Sequence, residues 1–178
     1  MGYYSETAKF RELEAMKYVT GKILDIGAGN DKITPDAFAV DGRDLPGIDL
    51  VVDDLETLSH YKVYPDIMPR DFDTVYSSHT FEHFADQWGA IHGWSKRLKA
   101  GGHFVLYLPD GDQYNNKENL EHMVDIKYDP YMFWIRRAFC GEGKDFRGMN
   151  KPKIFDLVDH GMDIRPDCYS FWCVLLKV

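Results

Sequence analysis

Ile23-Leu24-Asp25-Ile26-Gly27-Ala28-Gly29-Asn30 is an apolar run that carries an acid and then turns through two glycines. A buried parallel strand reads this way when it delivers a ligand-binding loop at its C-terminal edge. Glycine lets the backbone turn sharply and removes the Cβ that would hold a ligand at a distance. The acid at Asp25 would repel a pyrophosphate, and Lys32 stands where the dinucleotide fingerprint wants its third glycine. A ligand with a cationic or hydroxyl-rich portion suits the loop better.

The 178 residues suit one domain, 1–178, long enough for a single sheet-centred core. A hydrophobic fraction of 44% with 15% aromatics excludes a disordered chain. The net charge of −8 argues against nucleic acid and anionic membranes as partners, since a basic surface supplies most of that affinity. Cys140, Cys168 and Cys173 show no CxxC spacing, and their odd number fits reduced thiols and a cytoplasmic protein. No stretch reads as a signal peptide or a membrane span.

Outward from the glycine loop, residues 5–19 have apolar spacing and a possible N-cap at Ser5, which predicts an amphipathic helix ending at Gly21. Strand one covers 22–26. Only nine residues, 28–36 with Pro35 among them, precede the next apolar run at 37–40, so a turn or one helical turn is all that fits. Strand two then ends at Asp41, strand three covers 48–52 before Asp53-Asp54-Leu55, and strand four covers 72–78. A helix is expected over 86–98, a glycine turn over 98–102, and strand five over 103–108. Residues 112–150 are too long for a structureless connection. Asp129-Pro130 opens a helix through 139, and Asn150-Lys151-Pro152 opens another through 158, closed at Gly161. Residues 164–178 read as a hairpin with Pro166-Asp167 in its turn and a last strand over 171–176. Alternating strands and helices followed by a hairpin predict a three-layer α/β fold.

Four strand ends carry polar groups: Asp25-Ile26-Gly27-Ala28-Gly29, Asp41, Asp53-Asp54, and Ser77-Ser78-His79. Ligands of open α/β sheets sit outside those ends. Together with the segment through His83 and the 98–102 turn, this ordered set resembles the class I S-adenosylmethionine-dependent methyltransferases over residues 22–109. Ala100 stands where that family usually has Pro, and the short 28–36 connection marks a small member. The resemblance implies a Rossmann-like three-layer sandwich, a mostly parallel sheet with a C-terminal antiparallel hairpin, and S-adenosylmethionine as cofactor. Carried over, it assigns cofactor binding to Asp25, Gly27, Ala28, Gly29, Asp41, Asp54, Leu55, Ser78 and His79. Gly27 and Gly29 would admit the methionyl part, and Asp25 would hold the loop or reach the ammonium through water. Asp41 would accept both ribose hydroxyls, Asp54 the adenine amino group, and the Leu55 amide would donate to a ring nitrogen, with Asp53 as the alternative acid.

His79-Thr80-Phe81-Glu82-His83 has the HxxEH order of an inverted zinc-peptidase motif, but no third ligand cluster is evident, so no metal is expected. His83 and His122 are the candidate general bases; bracing of the loop by Glu82 and His83 and a solvated position for His122 are the bland readings. Tyr128, Tyr131, Phe133 and Trp134 could line a substrate pocket, but aromatics at helical spacing read first as cover for the sheet. Lys127, Arg136, Arg137, Lys144 and Arg147 make that segment basic, which reads first as a solvated face and alternatively as one that could welcome an anionic acceptor. The expected activity is methyl transfer to an oxygen or nitrogen of a small-molecule acceptor, with 112–150 as an insertion covering the acceptor pocket. The alternative is a catalytically silent protein that binds the donor or plays a regulatory role.

Overall fold

The computed structural model describes residues 4–58, 68–114, 122–144, 149 and 153–178. Among the described residues, seven strands form one sheet: β1 (Ile23–Ile26), β2 (Phe38–Asp41), β3 (Leu50–Val51), β4 (Phe72–Ser78), β5 (Leu98–Pro109), β6 (Phe155–Met162) and β7 (Ser170–Lys177). Their order is β3-β2-β1-β4-β5-β7-β6. The first five run parallel, and β7 lies antiparallel between β5 and β6. The helices are α1 (Glu6–Arg11), α2 (Leu55–Leu58), α3 (Gln87–Ser95) and α4 (Tyr128–Phe139), with 3₁₀ turns at Glu14–Tyr18 and Phe81–His83. Strand order reverses between β1 and β4, which opens a crevice at their C-terminal ends.

The central strands are buried along their whole length. β1 carries no exposed residue, and Leu24 and Ile26 on one face pack with Phe72, Phe104 and Phe171 in the larger apolar cluster. Ile23, on the opposite face, packs with Phe10, Tyr76, Tyr107 and Val174. Phe10 brings α1 onto that second face, its ring 5.0 Å from that of Tyr76. No helix among the described residues is long and apolar enough to cross a membrane.

Several expectations differ from the fold. The helix over 5–19 stops at Arg11, although Ser5 does cap it by accepting from the Ala8 amide at 2.9 Å. Leu13 is extended, and the chain resumes as a 3₁₀ turn, while Arg11 donates to the loop after β1. Strand three shrinks to two residues at the sheet edge. The turn over 98–102 is drawn into β5, where Leu98 pairs with Phe72 before a register shift leads to His103 opposite Thr74. The helix expected through 158 is strand β6 over 155–158, while 150–152 lie outside the described residues. The hairpin therefore begins at Phe155 rather than Ile164, and its turn includes the expected Pro166-Asp167.

Candidate active site

No helix follows the glycine loop; residues 28–37 are turns and bends. The loop is instead held from beneath and from the side. Asp25 is buried, and its Oδ2 accepts from the Ile33 amide at 2.7 Å. Burial pushes the Asp25 carboxyl up to about 7, opposed by the Ile33 amide and by Lys32 and Arg11. Arg11 of α1 donates through Nε to the Ile33 carbonyl at 3.1 Å and pairs with Asp31, which also accepts from the Ser5 hydroxyl. Lys32 reaches Asp49, ahead of β3, at 2.8 Å. Helix α1 thus does the bracing that a helix after β1 would otherwise provide.

Both glycines adopt left-handed backbone, φ +71° at Gly27 and +57° at Gly29. A Cβ at Gly27 would stand 2.0 Å from Thr80 Oγ1, so this glycine is needed for the loop to pack on the segment after β4. A Cβ at Gly29 would meet only an Arg43 nitrogen, at 3.5 Å. The Gly27 amide donates to Val40 O at 2.8 Å, and the Gly29 amide donates to Asp41 Oδ2, also at 2.8 Å. Asp41, at the end of β2, is buried, and its Oδ1 accepts from the Arg43 amide at 2.9 Å and Nε at 3.1 Å. The Arg43 side chain itself is 68% exposed and can swing away.

A cavity of about 540 Å³ opens over these strand ends. Of the residues expected to bind a cofactor, it brings together Gly27, Asp41, Asp54, Leu55 and His79. Asp53 and the candidate base His83 border it too. Asp25, Ala28, Gly29, Ser78 and His122 are not on its wall. Asp25 lies below the loop, and Gly29 acts through its bond to Asp41. Asp54 Oδ1 accepts from the Glu56 amide at 2.9 Å, which sets the start of α2. Ser78 is buried, and its hydroxyl lacks a hydrogen-bond partner among the described residues.

His79 also has left-handed backbone, φ +48°. Its Nε2 lies 2.8 Å from Ser170 Oγ and 3.5 Å from a Glu6 oxygen, and burial lowers its pKa to about 3, so the ring is neutral. Glu82 is buried, and burial raises its carboxyl to about 8. Its carbonyl accepts from the amides of Met123 at 2.9 Å and Val124 at 3.1 Å. That pairing carries His122 to His83, with ring centroids 4.9 Å apart. The two histidines, 39 positions apart in the chain, therefore meet beside the cavity.

Tyr131 and Trp134 line a second, more apolar cavity of about 380 Å³ with Trp88, Val124 and Ile126, and they also pack on the core. Phe133 points outward, 63% exposed. Two cations of the basic segment are paired, Lys127 with Asp112 and Arg136 with Glu142 at 3.4 Å, and Arg137 lies over the Phe133 ring. Arg147 lies outside the described residues.

Sequence reasoning did not single out Arg43, Glu56, Thr80 or Phe84, all on the cavity wall. Arg43 had a signal, two residues beyond the acid it contacts. Glu56 had none, because its two oxygens accept from the Ala85 and Asp86 amides, both at 2.8 Å, a contact made by folding alone.

Comparison with known proteins agrees with this fold. No curated protein matches the sequence. Among solved structures, the Burkholderia thailandensis 1,6-didemethyltoxoflavin-N1-methyltransferase superposes with a TM-score of 0.66 at 14% identity, over 98% of this chain and 79% of its own. The glycopeptide N-methyltransferase MtfA, bound to S-adenosylhomocysteine, gives 0.62 at 14%, over 100% and 89%. A methyltransferase in complex with the Haloferax volcanii Trm112 activator gives 0.61 at 14%, over 98% and 90%. At such identities the likeness speaks to the fold. The family model described as "Methyltransferase domain" matches residues 5–140, three quarters of the chain, so this protein belongs to the methyltransferase-domain family of class I S-adenosylmethionine-dependent methyltransferases.

Proposed function

We propose that this protein transfers the methyl group of S-adenosylmethionine to an oxygen or nitrogen of a small-molecule acceptor. The observation that carries this reading is the single cavity shared by the glycine loop, the buried acid ending β2 and the Asp54-Leu55 pair. The residues fit the donor. Among the described residues, Asp41 accepts from the Gly29 and Arg43 amides and from the exposed Arg43 side chain, and each carboxylate oxygen retains capacity to accept a ribose hydroxyl. Asp54 accepts the adenine amino group, and the Leu55 amide donates to a ring nitrogen. Gly27 admits the methionyl part above Asp25, with Ala28 and Gly29 shaping the loop behind it, and His79 borders the cavity next to the buried Ser78.

When bound, the donor supplies a methyl already activated by its sulfonium. The chain then contributes chiefly proximity and orientation. His83 and His122 stand together on the acceptor side and activate the incoming nucleophile. Among the described residues of 112–150, His122 lies against His83, and the Ile126 carbonyl accepts from the Gly111 amide at 2.7 Å, which supports a role for this segment beside the acceptor. Structural neighbours named as N-methyltransferases keep nitrogen acceptors in view beside oxygen.

Donor binding is tested by thermal unfolding and calorimetry with S-adenosylhomocysteine. At one hundred times its dissociation constant, a ligand that binds only the folded state stabilises it by about 2.7 kcal/mol. Asp41→Ala is expected to weaken that binding by roughly tenfold or more while leaving a cooperative fold, since it removes a charged acceptor. Stabilisation by NADH but not by S-adenosylhomocysteine would sink the reading. Unchanged affinity in Asp41→Ala would remove Asp41 from it.

A further inference from the structure

We propose that Glu82, His83 and His122 form a three-ligand site for a divalent transition-metal ion beside the donor cavity. One carboxylate oxygen and one ring nitrogen from each histidine lie within 4.8 Å of one another. An ion about 2.1 Å from each of three such ligands holds them roughly 3.4 Å apart, within reach of small side-chain rotations. Glu82 Oε2 is buried without a hydrogen-bond partner among the described residues, an arrangement that calls for a cation or a donor. The His83 Nε2–Glu82 Oε1 separation is 4.0 Å, too long for a hydrogen bond and short enough for an ion to bridge.

The backbone holds the ligands in place before any ion arrives. The 3₁₀ turn Phe81–His83 fixes Glu82 and His83, and Gln87 Nε2 anchors it by donating to the Phe81 carbonyl at 2.7 Å. The Met123 and Val124 amides on the Glu82 carbonyl deliver His122 from a distant part of the chain. Two imidazoles and one carboxylate suit zinc, cobalt or iron(II) rather than magnesium or calcium, which prefer all-oxygen sites. Three protein ligands also leave positions for an exogenous group. Because His83 borders the donor cavity, those positions adjoin it.

The metal site stands apart from the donor reading, but its role rests on it. The ion would bind the acceptor through an oxygen or nitrogen and lower that atom's proton affinity, with the proton passing to solvent water. The acceptor class is then one bearing a metal-binding hydroxyl, phenol or amine.

Cobalt(II) alone is the probe, titrated into the full chain after chelator treatment and followed by its visible d–d absorption and by calorimetry. The expected result is one saturable equivalent, with affinity at least tenfold weaker in His122→Ala and in Glu82→Gln. His122 is partly exposed, so its variant keeps the test sound if Glu82→Gln does not fold. Absence of saturable binding, or equal binding in both folded variants, overturns the proposal. A parallel titration with S-adenosylhomocysteine in the presence of chelator separates the two readings, since its failure would strike donor binding and leave the cobalt result standing.

Discussion

Gly27 and Gly29 differ in what surrounds them, although both have left-handed backbone. Placing any L side chain there costs about 1–2 kcal/mol. At Gly29 that is nearly the whole effect, since a Cβ meets only the exposed Arg43. At Gly27 the new Cβ would also lie within 2.9 Å of three side-chain atoms of buried Thr80. Overpacking of that kind adds about 1–3 kcal/mol. Gly27→Ala is therefore expected to lower the urea midpoint clearly more than Gly29→Ala. Equal losses would mean that Thr80 yields freely. Asp25 makes a different kind of prediction. Its folded pKa of about 7 lies above the unfolded value of 3.8, so the folded state holds a proton that the unfolded state has released. Its contribution to stability is complete below pH 4 and is lost as the pH rises through about 7. Asp25→Asn retains an oxygen for the Ile33 amide but does not titrate. Relative to this variant, the wild type should lose stability between pH 4 and 7 and then run parallel above. Urea midpoints at four pH values check this, and profiles that stay parallel throughout would refute it.

Among the elements, α1 and the β6–β7 hairpin are tied by one arginine. Arg165 in the hairpin turn donates to Asp163 through Nε at 2.8 Å and Nη2 at 2.6 Å, to the Lys9 carbonyl at 2.6 Å, and to Glu12 at 2.7 Å. Asp163 is buried and also accepts from the Tyr107 hydroxyl at 2.7 Å; the Arg165 guanidinium holds its carboxyl down at about 2. Arg165→Ala strands that carboxylate, and with Arg165 partly solvated the loss is expected at about 2–3 kcal/mol, below the range for a fully buried pair. Arg165→Lys should recover less than half, because a single ammonium does not replace the planar fork. A melt of Arg165→Ala within about 0.5 kcal/mol of wild type, the range of ordinary surface changes, would show that the tie carries nothing. The hairpin is also where the sequence misled. Phe155 to Met162 is an edge strand with a register shift between Leu157 and Asp159, so its apolar residues lack the alternation that marks a strand. An apparent cap at Asn150 and a stop at Gly161 made it look helical. The parallel strands β1, β2 and β4 were legible because each is buried and ends in acids, serines or glycines. The meeting of His83 with His122 was not, since backbone bonds to Glu82 bring it about.

At the scale of the whole molecule, the sheet sorts charge. Both faces are apolar, and the acids Asp41, Asp53, Asp54 and Glu56 gather at one edge of the parallel strands, around the reversal in strand order. The placement of Asp41, Asp53 and Asp54 was legible from the sequence, because each follows an apolar run and strand ends of a parallel sheet share one side, whereas that of Glu56 was not. The pairing of the basic segment was not, because Lys127 and Asp112 come together only when α4 docks on the sheet. The pairing bears on partners. A chain with net charge −8 has little to offer a polyanion unless a patch of free cations survives, and Lys127 and Arg136 are each engaged by a carboxylate. Non-specific nucleic-acid binding draws on counterion release by unpaired Lys and Arg, and typical dissociation constants at physiological salt are about 10⁻⁴–10⁻⁶ M. Fluorescence anisotropy with a labelled single-stranded RNA is therefore expected to show a constant weaker than about 10⁻⁴ M at roughly 0.15 M salt, where screening reaches about 8 Å. Lowering the salt should strengthen it little, since few phosphates would be neutralised. Micromolar binding with a steep salt slope would reveal a cationic surface that the paired residues do not form, and would move the acceptor from small molecules to RNA.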